Sequence, residues 1–555
     1  MKKFFYLIVL LSIFSCKKNV TEMRQDFQSF ISYYDSIVIP LTRETGLAEW
    51  NANISGKEED YSRFAELQTK FSLFHSNKET FKRIENIKAS KAITDPIQAR
   101  QLEIIYLTYL NYQADTSIQK EIIQIQNQIE QKYSTFRAEI DGKLYTDNDI
   151  EDILRTSTDN VLLQKAWEAH KKIGELVEKD IIELVKKRNK LARQLGFANY
   201  HEMKLKLNDQ EPKEIEIIFD QLDSMTTDAF KQVKEEIDTY LAKRYKVDKS
   251  MLMPWNYQNR FFQEAPNIYP TDIDKYYYNQ NLVSLTSQFY KSIDMPVDDI
   301  IERSDLYEKP GKNQHAFCTN IDREDDIRVL CNIKPNSYWM NTMLHEFGHA
   351  TYEKYIDRQL PFVLRQPSHT FTTEAIAILF GRLSSNPYWI MHSCNISKKE
   401  ADKIAENCFK TLRIEELVFS RWSQVMYRFE KALYNNPDQD LNQLWWTLVE
   451  KYQLLKKPSG RNKPDWASKI HIATVPCYYH NYLLGDILAS QLHYYICSKV
   501  INDTSNIKYF DYYERKEVGK FLKEKFYAPG TSLYWNDLIE QTTGEKLTAK
   551  YYANQ

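Results

Sequence analysis

His345 and His349 stand four residues apart with Glu346 directly after the first of them, an H-E-x-x-H pattern. On a helix such positions share one face, so the two imidazoles can offer nitrogens to a single zinc ion. Glu346, one residue on, reaches a water at that ion without taking a ligand position, which suits a general base and acid. Leu344 and Gly348 fit a buried helix packed closely on a neighbour. No third His follows at the metzincin spacing, so a third ligand must come from elsewhere. Glu374 lies 25 residues beyond His349, in the first turn of a second helical run that is otherwise apolar. Its carboxylate either meets the positive end of the helix dipole or binds zinc, and the paired histidines favour the ligand role. Two His and one Glu leave a fourth position for water, whose pKa zinc lowers to about 7.

A developing oxyanion then needs donors. Residues 469–482 contain Lys469, His471, Tyr478, Tyr479 and Tyr482. Tyr479 and Tyr482 share a face if the chain is helical there, and a preorganised donor contributes about 10²–10³ in rate. With 38 Tyr in the chain, a tyrosine cluster is usually packing with a wet hydroxyl, and residue chemistry alone does not choose Tyr482 from its neighbours.

The elements that must position these groups are mostly helices. The chain has 555 residues but only 13 Gly and 17 Pro, which favours an all-α globule. Lys plus Arg (74) nearly cancels Asp plus Glu (76), and a net charge of −2 gives no case for nucleic acid as a partner. No Gly/Ser or Pro-rich linker, repeat or heptad stretch divides the chain, so one helical body and a monomer are expected. Residues 22–245 read as long amphipathic helices, exemplified by 164–193. A Pro and aromatic-rich stretch at 253–258 interrupts them, with helices resuming near 274. Residues 312–334 alternate like a short β-hairpin, and Cys318 and Cys331 flank its polar turn, where an oxidising compartment would permit a disulfide or leave two thiols.

At the N-terminus, Lys2 and Lys3 precede an apolar run over 4–11 that ends in Ser15-Cys16. This reads as a lipoprotein signal over 1–15, with Cys16 as the lipidated residue. It implies export to the periplasmic or surface side of a bacterial membrane, a tether over 16–30, and a single domain over 31–555 with two sub-halves.

The residues in order resemble the angiotensin-converting-enzyme family of zinc peptidyl-dipeptidases, and more distantly the thimet oligopeptidase family. The blocks that carry this are His315-Ala316-Phe317, the 326–331 segment, His345 to His349, Leu364-Arg365 with Glu374-Ala375-Ile376, and the 442–453 helix. Lys469-x-His471 with Val475-Pro476, Tyr479 with Tyr482, and Trp535-Asn536-Asp537 complete them. The resemblance implies a gluzincin with two helical halves around a deep central cleft and one Zn²⁺ held by His345, His349 and Glu374. It implies Glu346 as base and acid, Tyr482 and His471 on the tetrahedral intermediate, and Lys469, Tyr479 and Gln258 on the substrate's C-terminal carboxylate. His315 and Ala316 resemble the strand that pairs with the substrate backbone. An enzyme so built removes dipeptides from short peptides; the alternatives are an endo-acting oligopeptidase of the thimet type and a non-catalytic peptide-binding lipoprotein. Ile378 stands where the family places an Asp that orients a zinc-binding His, and Asn481 where chloride-dependent members carry an Arg. The His471 to Tyr482 interval is one residue longer than in the vertebrate enzymes.

Overall fold

Apolar residues at helical spacing set the architecture from the first described turn. The structure is a computed structural model that describes residues 19–554, so the signal segment and Cys16 lie outside the described residues. The first helix, Val20–Ser55, is opened by a capping box in which Asn19 accepts the Glu22 N–H, and it buries Phe27, Phe30, Tyr34 and Val38. This corrects the expected tether over 16–30: from Val20 onward the chain is helix, held by two fully buried phenylalanines at 27 and 30. These side chains pack with Ile84, Ile87, Leu102, Ile105 and Tyr109 and with the Phe362–Leu364 turn.

Further helices follow the same logic. Asn160–Gln194 covers the expected 164–193 segment and buries Leu163, Trp167, Val177, Ile181 and Leu184. Pro212–Tyr245 starts on a proline, whose fixed φ suits a first helical turn. Lys398–Asn435 is capped by Ser397 and crosses the core with Trp422, Val425 and Phe429 buried. Beyond the Pro-rich stretch one 3-10 turn, Asp274–Tyr276, stands where helices were expected to resume, and the next α-helix is Leu282–Ser292. Among the described residues no helix is long and apolar enough to cross a membrane.

Two small antiparallel sheets interrupt the helices. Ala138–Ile140 pairs with Lys143–Tyr145 across Asp141-Gly142, a hairpin that helical periodicity hid. The expected second hairpin forms between Phe317–Asn320 and Ile327–Leu330. Its register sets Cys318 opposite Val329, and both Cys318 and Cys331 are free thiols, so the disulfide that the flanking positions allowed is not formed.

Three helices meet at the site: the motif helix Ser337–Lys354, the carboxylate helix Thr370–Gly381 and the tyrosine helix His480–Tyr495. Gly348 makes the first crossing close, because a Cβ there would stand 3.0 Å from Ala377 Cα. Gly348→Val is therefore expected to destabilise the metal-free protein by about 1–3 kcal/mol through overpacking, read as a lower urea midpoint at unchanged m. At the second crossing a Cβ on Gly485 would stand 3.0 Å from Glu374 Cγ, so the tyrosine helix lies directly against that carboxylate stem.

Candidate active site

The motif helix starts where Asn336 accepts the Trp339 N–H, and it carries His345 and His349 one turn apart with ring centroids 4.9 Å apart. Glu374 faces them from the fifth position of the carboxylate helix, one residue past the expected first turn. His345 Nε2 lies 3.8 Å from Glu374 Oε1, and His349 Nε2 lies 3.7 Å from Oε2. One donor atom from each of the three lies within 4.8 Å of the others. Tetrahedral zinc with bonds near 2.1 Å keeps its ligand atoms about 3.4 Å apart, so a small contraction closes this set on one ion.

The electrostatics point the same way. Burial pushes His345 down to about 4 and His349 well below its ordinary value, so both imidazoles are neutral and offer lone pairs. Burial pushes Glu374 up to about 7. Burial, then the charge of Glu374, pushes Glu346 up to about 8, opposed by the Cys318 backbone N–H that its carboxylate accepts. Two carboxylates crowded together beside neutral imidazoles are short of positive charge. Donor types, count and charge all fit a divalent zinc ion.

Glu346 is on the same helix, 8% exposed, and is held toward the Phe317–Asn320 strand through Cys318. Tyr482 is half-buried in the first turn of the tyrosine helix, its hydroxyl ionisation raised by burial and by Glu374. Its ring lies 5.3 Å from that of Tyr478 and 5.5 Å from that of Tyr479. His471 opens a single helical turn, 5.4 Å ring to ring from Tyr479. Burial and the nearby Lys469 push it down to about 4, and its Nδ1 is buried without a partner among the described residues.

Lys469 is buried among Phe261, Trp422 and Tyr479, with Nζ 5.3–5.5 Å from each ring. Burial, then the positive charge of Arg260, pushes its ammonium down to about 7. Tyr479 accepts a hydrogen bond from Trp422 Nε1 at 2.8 Å. These two expected carboxylate holders do meet, but Gln258 is not with them. Its Nε2 donates to Arg155 O at 3.2 Å from a backbone at φ 59°. The amide beside Lys469 belongs to Gln263, whose Oε1 accepts from Nζ at 2.5 Å. The expected strand at His315 and Ala316 also shifts. His315 sits exposed in a bend, its N–H tied to Asn313, and the strand begins at Phe317, one residue after Ala316. Asn481 is buried and accepts from Gln210 Nε2 at 2.8 Å.

A mostly helical chain that gathers H-E-x-x-H and a glutamate from a neighbouring helix has the makings of a metallopeptidase. Comparison with known proteins names the family: the description of peptidase family M2, angiotensin-converting enzyme, matches residues 21–552. The chain belongs to the angiotensin-converting-enzyme family of peptidases. It is 26% identical to the angiotensin-converting enzyme of Mesocricetus auratus over 299 residues, covering 51% of this chain and 22% of that protein. It is 22% identical to the angiotensin-converting enzyme-like protein Ace3 of Mus musculus over 568 residues, 93% of this chain and 73% of the relative. It is 21% identical to the angiotensin-converting enzyme-related protein of Drosophila melanogaster over 582 residues, 96% of this chain and 88% of the relative. The match thus spans about a fifth of the hamster enzyme but most of the mouse Ace3 and fly proteins.

Proposed function

We propose that this protein is a zinc peptidyl-dipeptidase that releases C-terminal dipeptides from short unfolded peptides. The observation that carries it is the pairing of two constellations: the His345, His349 and Glu374 donor set, and the buried trio of Lys469, Gln263 and Tyr479. They are linked through Tyr479 and Tyr482, whose rings are 5.5 Å apart. The first suits a peptide carbonyl, the second a free carboxylate.

Zinc, when bound, supplies a Lewis acid for the scissile carbonyl and for water. Glu346 takes the water's proton and hands it to the leaving amine. Tyr482 donates its hydroxyl to the developing oxyanion, and His471, neutral, donates its ring N–H. Lys469 pairs with the terminal carboxylate as a point charge, Gln263 turns its amide N–H to the same group, and Tyr479 adds its hydroxyl. The family's deep cleft between two helical halves would exclude folded proteins and water alike. Lys2, Lys3 and the apolar run before Cys16 support export and a lipid anchor, with the catalytic body a monomer outside the inner membrane.

The test compares a free-acid peptide with its C-terminal amide. Dipeptide products from the acid, with most activity lost on the amide, support this reading; equal internal cleavage of both shifts it to an endo-acting oligopeptidase. Lys469 adds a pH signature. An ammonium pushed down to about 7 is charged below that pH and neutral above it. Above about pH 7, kcat/KM for the free acid is expected to fall toward tenfold per unit, while the amide shows no such limb. Parallel profiles for both would remove Lys469 from the carboxylate site.

A further inference from the structure

His349 uses its two ring nitrogens in different directions. Nε2 lies 3.7 Å from Glu374 Oε2 and faces the donor set, while Nδ1 lies 2.8 Å from Thr373 Oγ1. A ring that turns Nε2 to a metal keeps its proton on Nδ1, so this N–H donates and the threonine hydroxyl accepts. The geometry points to Thr373 as the positioning residue of His349: we propose that this one neutral hydrogen bond fixes the ring's tautomer and orientation toward zinc. Ile378, where the family carries an orienting Asp, has no side-chain donor or acceptor. The inference rests on the zinc reading above and adds to it the residue on which zinc affinity turns.

The local structure explains how so short a side chain can serve. The crossing at Gly348 and Ala377 brings the two helices nearly to backbone contact, so a hydroxyl two bonds from Cα reaches across. The start of the carboxylate helix is pinned: His369 Nε2 bonds Asn208 O at 2.9 Å, and Thr372 Oγ1 donates to His369 O at 2.7 Å. A threonine hydroxyl in a helix ordinarily turns back to the carbonyl four residues earlier. Thr372 occupies that carbonyl here, and Thr373 faces His349 instead. Thr373 and Glu374 are consecutive, so one helix grips the back of the ring while its next residue joins the front of the site. Ile378, one turn on, meets the tyrosine helix, where its Cδ1 would lie 3.3 Å from a Cβ on Gly485.

A hydroxyl leaves the imidazole less electron-rich than a carboxylate does, and losing such an outer partner commonly costs 10–100-fold in metal affinity. The experiment is the zinc dissociation constant of the full chain, measured against a chelating indicator, for the parent, Thr373→Val and Thr373→Ser. Val is expected to bind zinc about 10–100-fold more weakly, with Ser within about threefold of the parent, while the metal-free proteins keep one thermal midpoint. Val binding as tightly as the parent, or Ser as weakly as Val, overturns the proposal. A check that needs no variant is ¹⁵N NMR of the zinc-loaded parent, which must show His349 protonated on Nδ1; metal on Nδ1 overturns it equally. A parent that binds no zinc would sink the zinc reading itself, whereas tight binding by Val sinks only the role of Thr373.

Discussion

Glu346→Gln is expected to bind one zinc ion with the parent's affinity and to lose at least about 10²–10⁴ in kcat on any peptide the parent cleaves. The reason is geometric before it is chemical. Glu346 occupies the position between the two imidazoles in sequence but not in the donor set, which closes with His345, His349 and Glu374 alone. Its carboxylate accepts the Cys318 N–H, a bond that a glutamine oxygen can also accept, so the strand and helix should keep their places. What Gln lacks is the ability to take a proton. The parent carboxyl is pushed up to about 8 by burial and by Glu374; a dication beside it lowers that value toward the neutral range where a base works best. Metal analysis with steady-state kinetics checks both halves. Retained turnover with zinc bound would end the proposed role, and a chain that only binds peptides would show no difference between parent and variant.

The donor set was legible because a helix converts spacing into position: two His four apart must share a face, and the motif helix delivers them with ring centroids 4.9 Å apart. Glu374 was legible as a lone carboxylate in an apolar run, and the tyrosine pair as a spacing of three that the helix His480–Tyr495 continues. Gln263 was not, for a physical reason. Residues 253–281 form turns and single 3-10 turns, with Gln258 and Phe262 both at positive φ, so distance along the chain says nothing of distance in space. Gln258 belonged to the right segment and faces Arg155 instead. Thr373 was missed because no local pattern marks it. Its role depends on the near contact at Gly348, and a glycine announces close packing without naming the partner. The expected tether over 16–30 overran the start of the amphipathic helices expected from 22: Met23, Phe27 and Phe30 return at helical spacing and are buried, so the helix begins at Val20.

Tyr482→Phe is expected to lower kcat by about 10²–10³ with KM nearly unchanged, the pattern for a donor used only in the transition state. Three tyrosines compete for this role within five residues, and their surroundings separate them. Tyr479 accepts from Trp422 at 2.8 Å and stands beside Lys469, so Tyr479→Phe should raise KM for free-acid peptides more than it lowers kcat. Tyr478 follows Cys477, a residue at φ 57° whose N–H is held by the buried carboxylate of Glu430 at 3.0 Å. Beyond that kink the Tyr478 ring stands edge-on to Tyr482. Tyr482 is in the first turn of the helix that abuts Glu374 through Gly485, three residues on and on the same face. Burial and the charge of Glu374 raise its hydroxyl's ionisation, as they do that of Tyr478, which lies before the helix begins. A Phe ring keeps that packing and removes only the O–H. Kinetics of the three Phe variants on one free-acid peptide therefore resolve the assignment: a large kcat loss at Tyr478 with none at Tyr482 would move the oxyanion donor to the segment before the helix and leave Tyr482 as packing.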